Sequence, residues 1–161
     1  MGLFKELGMK RDDFGRMVLE SKLLFRFGLG EFLQNCKKMD LPLFVVSAGI
    51  GEIIEASFYA ILHNGEIDKH GGDELREFYH NNVKILSNTF IYDENIGIDY
   101  CRPLVHILNK QTFIYDGENA KERLFKKNVI IMGDILEDVK MVRTSMHEVH
   151  LKIGFMNDLV S

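Results

Sequence analysis

The stretch NVIIMGD at residues 128–134 decides the fold: it is a short, unbroken apolar run that ends on a glycine and an aspartate. Apolar runs of this length that contain β-branched residues are typical of strands buried on both faces of a sheet. A second run of this kind, LFVV at residues 43–46, follows Pro42 and precedes a Gly-containing turn. Strands buried on both faces belong to α/β sheets, so the two runs predict an α/β fold.

Helical spacing of apolar residues alternates with these strands along the chain. A break near Gly28 divides the first helical stretch in two. The order of elements predicts a doubly wound, mostly parallel α/β sheet with one hairpin. We predict helices over residues 12–39 (interrupted at Gly28), 52–62, 74–80, 117–127 and 136–144, strands over 43–46, 83–86, 128–132 and 149–155, and a hairpin over 89–100.

Length, charge and cysteine content exclude several classes of protein. The chain has 161 residues, 46% of them hydrophobic, which is enough to bury a core. A formal net charge of −4 gives no diffuse positive field for nucleic acid or for an acidic membrane, so we expect neither as a partner. No apolar run approaches membrane-spanning length. Cys36 and Cys101 are expected to be free thiols in a reducing, cytoplasmic compartment.

The first candidate site is the segment VVSAGIG at residues 45–51. A hydroxyl and two glycines follow a buried strand and lead into a helix, so the Ser47 hydroxyl and nearby backbone N–H groups are placed to bind a phosphoryl oxygen. The structural alternative is that Ser47 is a turn residue or a helix cap and that the glycines serve tight geometry.

The second candidate site follows the strand at residues 128–132, where Asp134 comes after Gly133 and Asp138 lies four residues further on. If a helix begins near Ile135, both carboxylates share one face and can bind a hard cation such as Mg²⁺. The alternative makes Asp134 a helix cap and Asp138 a solvated acid.

Weaker candidates accompany these two. Lys110 is expected to be an ordinary exposed lysine unless both candidate sites are functional. In that case it is expected to neutralise phosphoryl charge. His147 and His150 lack a third ligand nearby in sequence, so we expect no metal site there. The basic run at residues 121–127 is expected to be a solvated helix face, and the repeated TFIYD is expected to be coincidental.

A hydroxyl after one strand, then a lysine, then Gly-Asp-x-x-x-Asp after another strand is similar to motifs of haloacid-dehalogenase-type phosphatases. A response-regulator receiver places its acids before the hydroxyl and lysine, so this order disfavours it. More specifically, the chain resembles the cytosolic pyrimidine 5′-nucleotidase family. The matching strings are SAGIG at 47–51, NVKILSN at 82–88, Asn109-Lys110, Gly133-Asp134 with Asp138, and LKIGFMND at 151–158.

The resemblance implies Mg²⁺-dependent hydrolysis of pyrimidine nucleoside 5′-monophosphates through an aspartyl-phosphate intermediate. It implies that Ser47 binds the phosphoryl group with backbone help from Ala48 and Gly49. It also implies that Lys110 balances the charge of nucleophile and phosphate. Asp134 would ligate Mg²⁺ and Asp138 would support the metal shell.

The chain also departs from that pattern. No Asp-x-Asp nucleophile motif precedes Ser47, and Ile135 and Glu137 replace smaller residues expected beside the metal. We therefore expect an incomplete fold of haloacid-dehalogenase type, with residues 1–26 a remnant of the helical cap and residues 27–161 a partial phosphatase core. One hypothesis is a nucleotidase in incomplete form, prone to self-association through unpaired strand edges. The other is a non-catalytic phosphate-binding or interaction module.

Overall fold

A computed structural model describes residues 6–21, 23–63, 79–115 and 126–156 of the chain. Helices and strands alternate along most of this length. The helices are α1 (Arg11–Glu20), α2 (Leu29–Lys38), α3 (Gly51–His63) and α4 (Lys110–Tyr115), with 3₁₀ helices at Leu136–Met141 and Thr144–Met146, and the strands are β1 (Leu43–Ile50), β2 (Val83–Asn88), β3 (Phe90–Asp93), β4 (Ile96–Tyr100), β5 (Asn128–Gly133) and β6 (Val149–Gly154).

The described strands form three pairs. β1 pairs in parallel with β2, and β5 pairs in parallel with β6, from Asn128 opposite Val149 to Gly133 opposite Gly154. β3 and β4 form an antiparallel hairpin, as the sequence predicts. Parallel pairs joined through helices are the mark of α/β architecture, so the prediction of an incomplete α/β fold is confirmed.

The chain divides into two compact units, residues 1–104 and residues 105–161. In the first unit, α1 buries Phe14 against the ring of Phe90, with 5.5 Å between centroids, and Tyr100 packs on the same cluster. A second cluster joins Leu33 and Cys36 of α2 to strand β2. Both helices show the apolar spacing of three or four residues that a buried helical face requires.

The second unit consists of α4, the parallel pair β5 and β6, and the two 3₁₀ helices. Its buried apolar residues include Val105, Ile114 and Ile131. The predicted boundary between residues 26 and 27 remains a prediction.

Two local predictions are confirmed, at Gly28 and at the two cysteines. Gly28 interrupts the first helical stretch with a left-handed backbone, φ +82°, that favours glycine. Cys36 and Cys101 are both free thiols. No helix within the described ranges is long and apolar enough to cross a membrane.

Two local predictions are wrong. Strand β1 continues to Ile50 instead of ending at Val46, because β2 pairs with it again beyond an irregular step. Residues 136–144 do not form one α-helix, because a 3₁₀ helix begins at Leu136 and ends at Met141. In this turn the Asp138 N–H donates to the Ile135 carbonyl, three residues earlier, at 3.1 Å. This tight turn directs Asp138 inward, as described below.

Two predicted helices fall largely outside the described residues. Of residues 74–80, only 79 and 80 are described, and they are helical. Of residues 117–127, only Lys126 and Lys127 are described, and neither is helical.

Candidate active site

The segment from Ser47 to Gly49 forms an irregular step in β1. Val46 pairs with Leu86 and Ile50 pairs with Asn88, so the four-residue advance on β1 matches a two-residue advance on β2. Extra residues of this kind leave the backbone of one strand without ladder partners. The predicted phosphate segment is thus a bulge inside a strand, and helix α3 begins directly after it at Gly51.

Within this step the Gly49 N–H donates a hydrogen bond of 3.0 Å to Ser47 Oγ. A hydroxyl that accepts one hydrogen bond still has its own proton to donate. Ser47 is partly buried and Gly49 is exposed, so the step lies at the surface of the first unit. This arrangement can present an O–H donor to an anion.

Two buried polar side chains that sequence reasoning missed lie next to this segment. Asn88 is 1% exposed and donates from Nδ2 to the Ala48 carbonyl at 2.8 Å. Glu52 is 9% exposed, and its Oε1 accepts from the Phe90 N–H at 2.9 Å and from Tyr92 Oη at 3.1 Å. Asn88 is the last residue of the string NVKILSN, which is part of the family resemblance. That resemblance is the only signal in the sequence that pointed to Asn88.

Lys110 and Asp138 form a buried ion pair in the second unit. Lys110 Nζ lies 2.5 Å from Asp138 Oδ1, and the two side chains are 12% and 7% exposed. Lys110 is the first residue of α4, and the preceding Asn109 accepts from the His106 N–H at 2.7 Å, which closes the turn before the helix. The structure therefore brings together two of the predicted site residues across 28 positions of sequence.

Gly133 makes this pair possible. A Cβ built on Gly133 would overlap the side chain of Asp138, with Cγ only 2.7 Å away. Because real Cβ atoms do not approach so closely, only glycine at the end of β5 lets the Asp138 carboxyl lie against the strand. The glycine of the Gly-Asp pair thus has a packing role.

Asp134 follows Gly133 and is exposed, whereas Asp138 is buried. The expected helix that would place both carboxylates on one face is absent from this part of the described chain, because residues 136–141 form a 3₁₀ helix. Among the described residues no group of three His, Cys, Asp or Glu side chains could hold a metal ion.

A cavity of about 150 Å³ opens beside Lys110. Lys110 and Lys140 bring two cations to its wall, Glu137 brings one acid, and Gln111 brings an amide. Leu108 and other apolar residues complete the lining. A small anion carrying an apolar or amide-bonding group suits this composition.

His147 belongs to a hydrogen-bond network. Its Nδ1 lies 2.7 Å from the Lys126 carbonyl, which can only accept, so Nδ1 carries the proton and Nε2 accepts from Tyr115 Oη at 3.0 Å. The Arg143 N–H donates to the same Tyr115 oxygen at 3.0 Å. Burial raises the pKa of Tyr115, although hydrogen bonding and charge from Arg143 oppose the effect. His150 Nε2 bonds the Thr144 carbonyl at 2.8 Å.

The predicted site residues as a whole divide between the two units. Ser47, Ala48 and Gly49 belong to the first unit, and Lys110, Asp134 and Asp138 belong to the second. Their predicted roles toward phosphate and metal remain predictions.

Comparison with known proteins identifies the family. A family model described as pyrimidine 5′-nucleotidase (UMPH-1) matches residues 1–161. The chain is 33% identical over 161 residues to 7-methylguanosine phosphate-specific 5′-nucleotidase B of Xenopus laevis, covering 98% of this chain and 50% of that protein. It is 28% identical over 163 residues to the 7-methylguanosine phosphate-specific 5′-nucleotidase of Gallus gallus, with the same coverage of 98% and 50%.

The fold has a solved counterpart in cytosolic 5′-nucleotidase IIIB bound to cytidine. The TM-score is 0.73 at 22% identity, over 94% of this chain and 47% of that one. The chain spans about half the length of the relatives it matches. Because the family model covers every residue, the chain belongs to the pyrimidine 5′-nucleotidase family.

Proposed function

We propose that this chain carries the phosphate-binding and metal-binding residues of a nucleoside 5′-monophosphate phosphatase. The reaction is hydrolysis of the 5′-phosphate ester to nucleoside and inorganic phosphate. The observation that carries the proposal is the buried Lys110–Asp138 pair beside Gly133-Asp134 at the carboxyl end of β5. Ligands of α/β sheets bind beyond this end of the strands.

Lys110 supplies positive charge where a phosphoryl group would bind. Burial lowers the effective dielectric around its ammonium group, so an anion there gains more than it would in water. Asp138 holds the ammonium in place at 2.5 Å. The cavity beside Lys110, with Lys140 on its wall, has room for an anionic group.

Ser47 supplies a hydroxyl donor. Its oxygen already accepts from the Gly49 N–H, so its proton is free to turn toward a phosphoryl oxygen. We assign phosphate binding to Ser47 on this ground, and to Ala48 and Gly49 on the family resemblance alone.

Mg²⁺ is the cofactor we propose, with Asp134 as ligand and Asp138 in support. Mg²⁺ commonly takes one or two carboxylates and keeps several waters, and the exposed carboxylate of Asp134 suits such a site. When bound, the metal would neutralise phosphoryl charge as the ester bond breaks. The chain's own part is to hold Asp134 at the strand end next to the Lys110–Asp138 pair.

A non-catalytic phosphate-binding module is the second candidate. No Asp-x-Asp motif precedes Ser47 in these 161 residues, so the carboxylate nucleophile that the resemblance implies has no counterpart here. A chain of this kind would bind nucleoside monophosphates and release no phosphate.

The base of the substrate is proposed to be a pyrimidine, with 7-methylguanine as the competing choice. The family description names pyrimidine nucleotidases, and two relatives are named 7-methylguanosine phosphate-specific.

We propose a cytoplasmic location and self-association as well. The location rests on two free thiols and on a solved relative named cytosolic. Self-association rests on β6, where Val149 and Leu151 are 58% and 52% exposed. Sedimentation at several concentrations tests it, and a monomer throughout would contradict it.

The decisive experiment measures binding and phosphate release with UMP, CMP and 7-methylguanosine monophosphate, with and without Mg²⁺. Release that is lost in Asp134→Asn, and in Lys110→Met at a temperature where circular dichroism shows this variant folded, supports the phosphatase. Binding without release supports the binding module. The control is Lys127→Met, which removes a lysine from an exposed pair with Glu148. If the chain neither binds these nucleotides nor releases phosphate from them, both proposed functions are wrong.

A further inference from the structure

The backbone from Ser47 to Gly49 needs support from outside the ladder. β1 follows β2 residue by residue only up to Val46 and rejoins it at Ile50. Backbone polar groups in a bulge must find partners elsewhere, and buried ones usually find side chains. The side chains that hydrogen-bond this backbone also set the direction of its N–H groups.

Asn88 fixes one peptide plane of the segment. Its buried amide Nδ2 donates to the Ala48 carbonyl at 2.8 Å. In a trans peptide the carbonyl of one residue and the N–H of the next point in opposite directions. Holding the Ala48 carbonyl toward Asn88 therefore turns the Gly49 N–H the other way, where it meets Ser47 Oγ at 3.0 Å.

Glu52 fixes the end of the segment. It is the second residue of α3, yet its carboxylate is buried and reaches β3 instead of solvent. Oε1 accepts both the Phe90 N–H and the Tyr92 hydroxyl. Two donors from β3 thus tie the first turn of α3, and the segment that leads into it, to the hairpin.

Gly51 lies between these two attachments and touches the end of β2. A Cβ on Gly51 would lie 2.7 Å from Ser87 Oγ and 2.8 Å from Thr89 Cγ2. No side chain fits in that space, so the segment packs directly on β2.

The proposed role of Glu52 requires the acceptor oxygen Oε1 and not the negative charge. Within the described part of the chain, Glu52 Oε2 and Ser87 Oγ are buried without a hydrogen-bond partner. Because Oε2 makes no hydrogen bond, the tie from Glu52 to β3 comes from Oε1 alone. A glutamine keeps an acceptor for both donors and removes the charge.

We propose that Asn88 and Glu52 are positioning residues that hold the segment from Ser47 to Gly51 in its phosphate-binding conformation. This inference rests on the proposed function of that segment. The proposed role of both residues requires no contact with the phosphate. Asn88 sets the direction of the Gly49 N–H and the Ser47 hydroxyl, and Glu52 anchors the start of α3 behind them.

The test uses the whole 161-residue chain, labelled with ¹⁵N and titrated with inorganic phosphate. The variants are Asn88→Asp, which loses the donor, Glu52→Ala, which loses the acceptor, and the conservative Glu52→Gln. Glu55→Ala is the control, since Glu55 is exposed on the same helix. Circular dichroism sets a temperature at which each variant is folded.

We expect phosphate affinity to fall about threefold to tenfold in Asn88→Asp and in Glu52→Ala, the loss typical of one or two hydrogen bonds. Glu52→Gln should restore the affinity, and Glu55→Ala should leave it unchanged. The Gly49 amide resonance should shift in the two weakened variants. Wild-type affinity and an unmoved Gly49 resonance in those folded variants would overturn the inference.

Two further outcomes separate this inference from the proposed function. If the unaltered chain binds no phosphate, the proposed function fails, and the Gly49 resonance and its exchange rate still test the positioning role. If Glu52→Ala does not fold, Tyr92→Phe replaces it, because it removes one donor to Glu52 and little volume. An unchanged Gly49 resonance in Tyr92→Phe would then refute the anchoring role of Glu52. If Asn88→Asp does not fold, Asn88→Ser replaces it, because it removes the Nδ2 donor to the Ala48 carbonyl without adding a charge.

Discussion

Lys110 and Asp138 meet at 2.5 Å in the second unit, and both side chains are largely withdrawn from water. The pair joins the start of a short helix to a 3₁₀ turn that follows the end of β5. Lys110, which we predict to bind phosphate, is therefore paired with Asp138, which we predict to support the metal site. The contribution of this ion pair to the free energy of unfolding can be measured.

Lys110→Met should destabilise the protein by about 3–5 kcal/mol, because it leaves the Asp138 carboxylate buried and unpaired. Urea unfolding checks this. Adding Asp138→Leu to Lys110→Met should recover part of the loss, since no buried charge remains. Lys127→Met, in an exposed pair, should cost less than about 1 kcal/mol. A double variant no more stable than Lys110→Met would contradict the prediction.

Gly133→Ala should destabilise the protein by about 1–3 kcal/mol and displace the Asp138 carboxyl from Lys110, because the new Cβ overlaps the Asp138 side chain. Gly154→Ala is the matched control: Gly154 pairs with Gly133 across β5 and β6, and nothing lies within 4 Å of its added Cβ. Equal unfolding midpoints for the two variants would show that the close fit at Gly133 is unimportant.

Phe14→Ala should cost about 3–5 kcal/mol, since it removes a ring that is 1% exposed and packed on Phe90. Leu19→Ala on the same helix, at 63% exposure, should change stability by less than about 0.5 kcal/mol. Thermal and urea unfolding give both values. Similar losses from the two substitutions would mean that α1 is not anchored through Phe14.

The two thiols should differ in reactivity. Burial raises the pKa of Cys36, so little thiolate forms and reagents reach it slowly, whereas Cys101 is exposed. A disulfide-exchange reagent should therefore titrate one thiol rapidly in the native protein and the second only in denaturant. Cys101→Ser should abolish the rapid phase, and a rapid phase that survives would contradict the assignment.

Alkaline pH should weaken the fold through Tyr79. Burial, and then the charge of Glu55, raises the pKa of Tyr79 to about 12 in the folded chain, above about 10 in the unfolded chain. The folded state holds the phenol proton more tightly, so this contribution is complete below about pH 10 and is lost as pH rises toward about 12. Unfolding experiments between about pH 9 and about pH 11 should show a smaller loss in Tyr79→Phe than in the unaltered chain.

The local pattern of apolar and polar residues was enough to predict several helices and strands. The apolar run at 128–132 predicts the position of β5. The expectation that this strand is buried on both faces is wrong, since Ile131 is buried and Ile130 is 55% exposed. The spacing over 52–62 predicts α3, and the hairpin at 89–100 follows from two short strands around a polar turn. Lys110 and Asp138 are predicted from their positions along the chain together with the family resemblance.

The sequence by itself thus determined the α/β alternation, the family and the residue types of the candidate site. Only the tertiary structure decided that Asp138 turns inward to Lys110 and that residues 136–141 form a 3₁₀ helix. It also decided that Asn88 bonds the Ala48 carbonyl and that Glu52 accepts from the Phe90 N–H. The reason is physical. Helix and strand periods are local, whereas a buried polar side chain takes its partner from wherever the fold brings one, here 28 to 40 residues away.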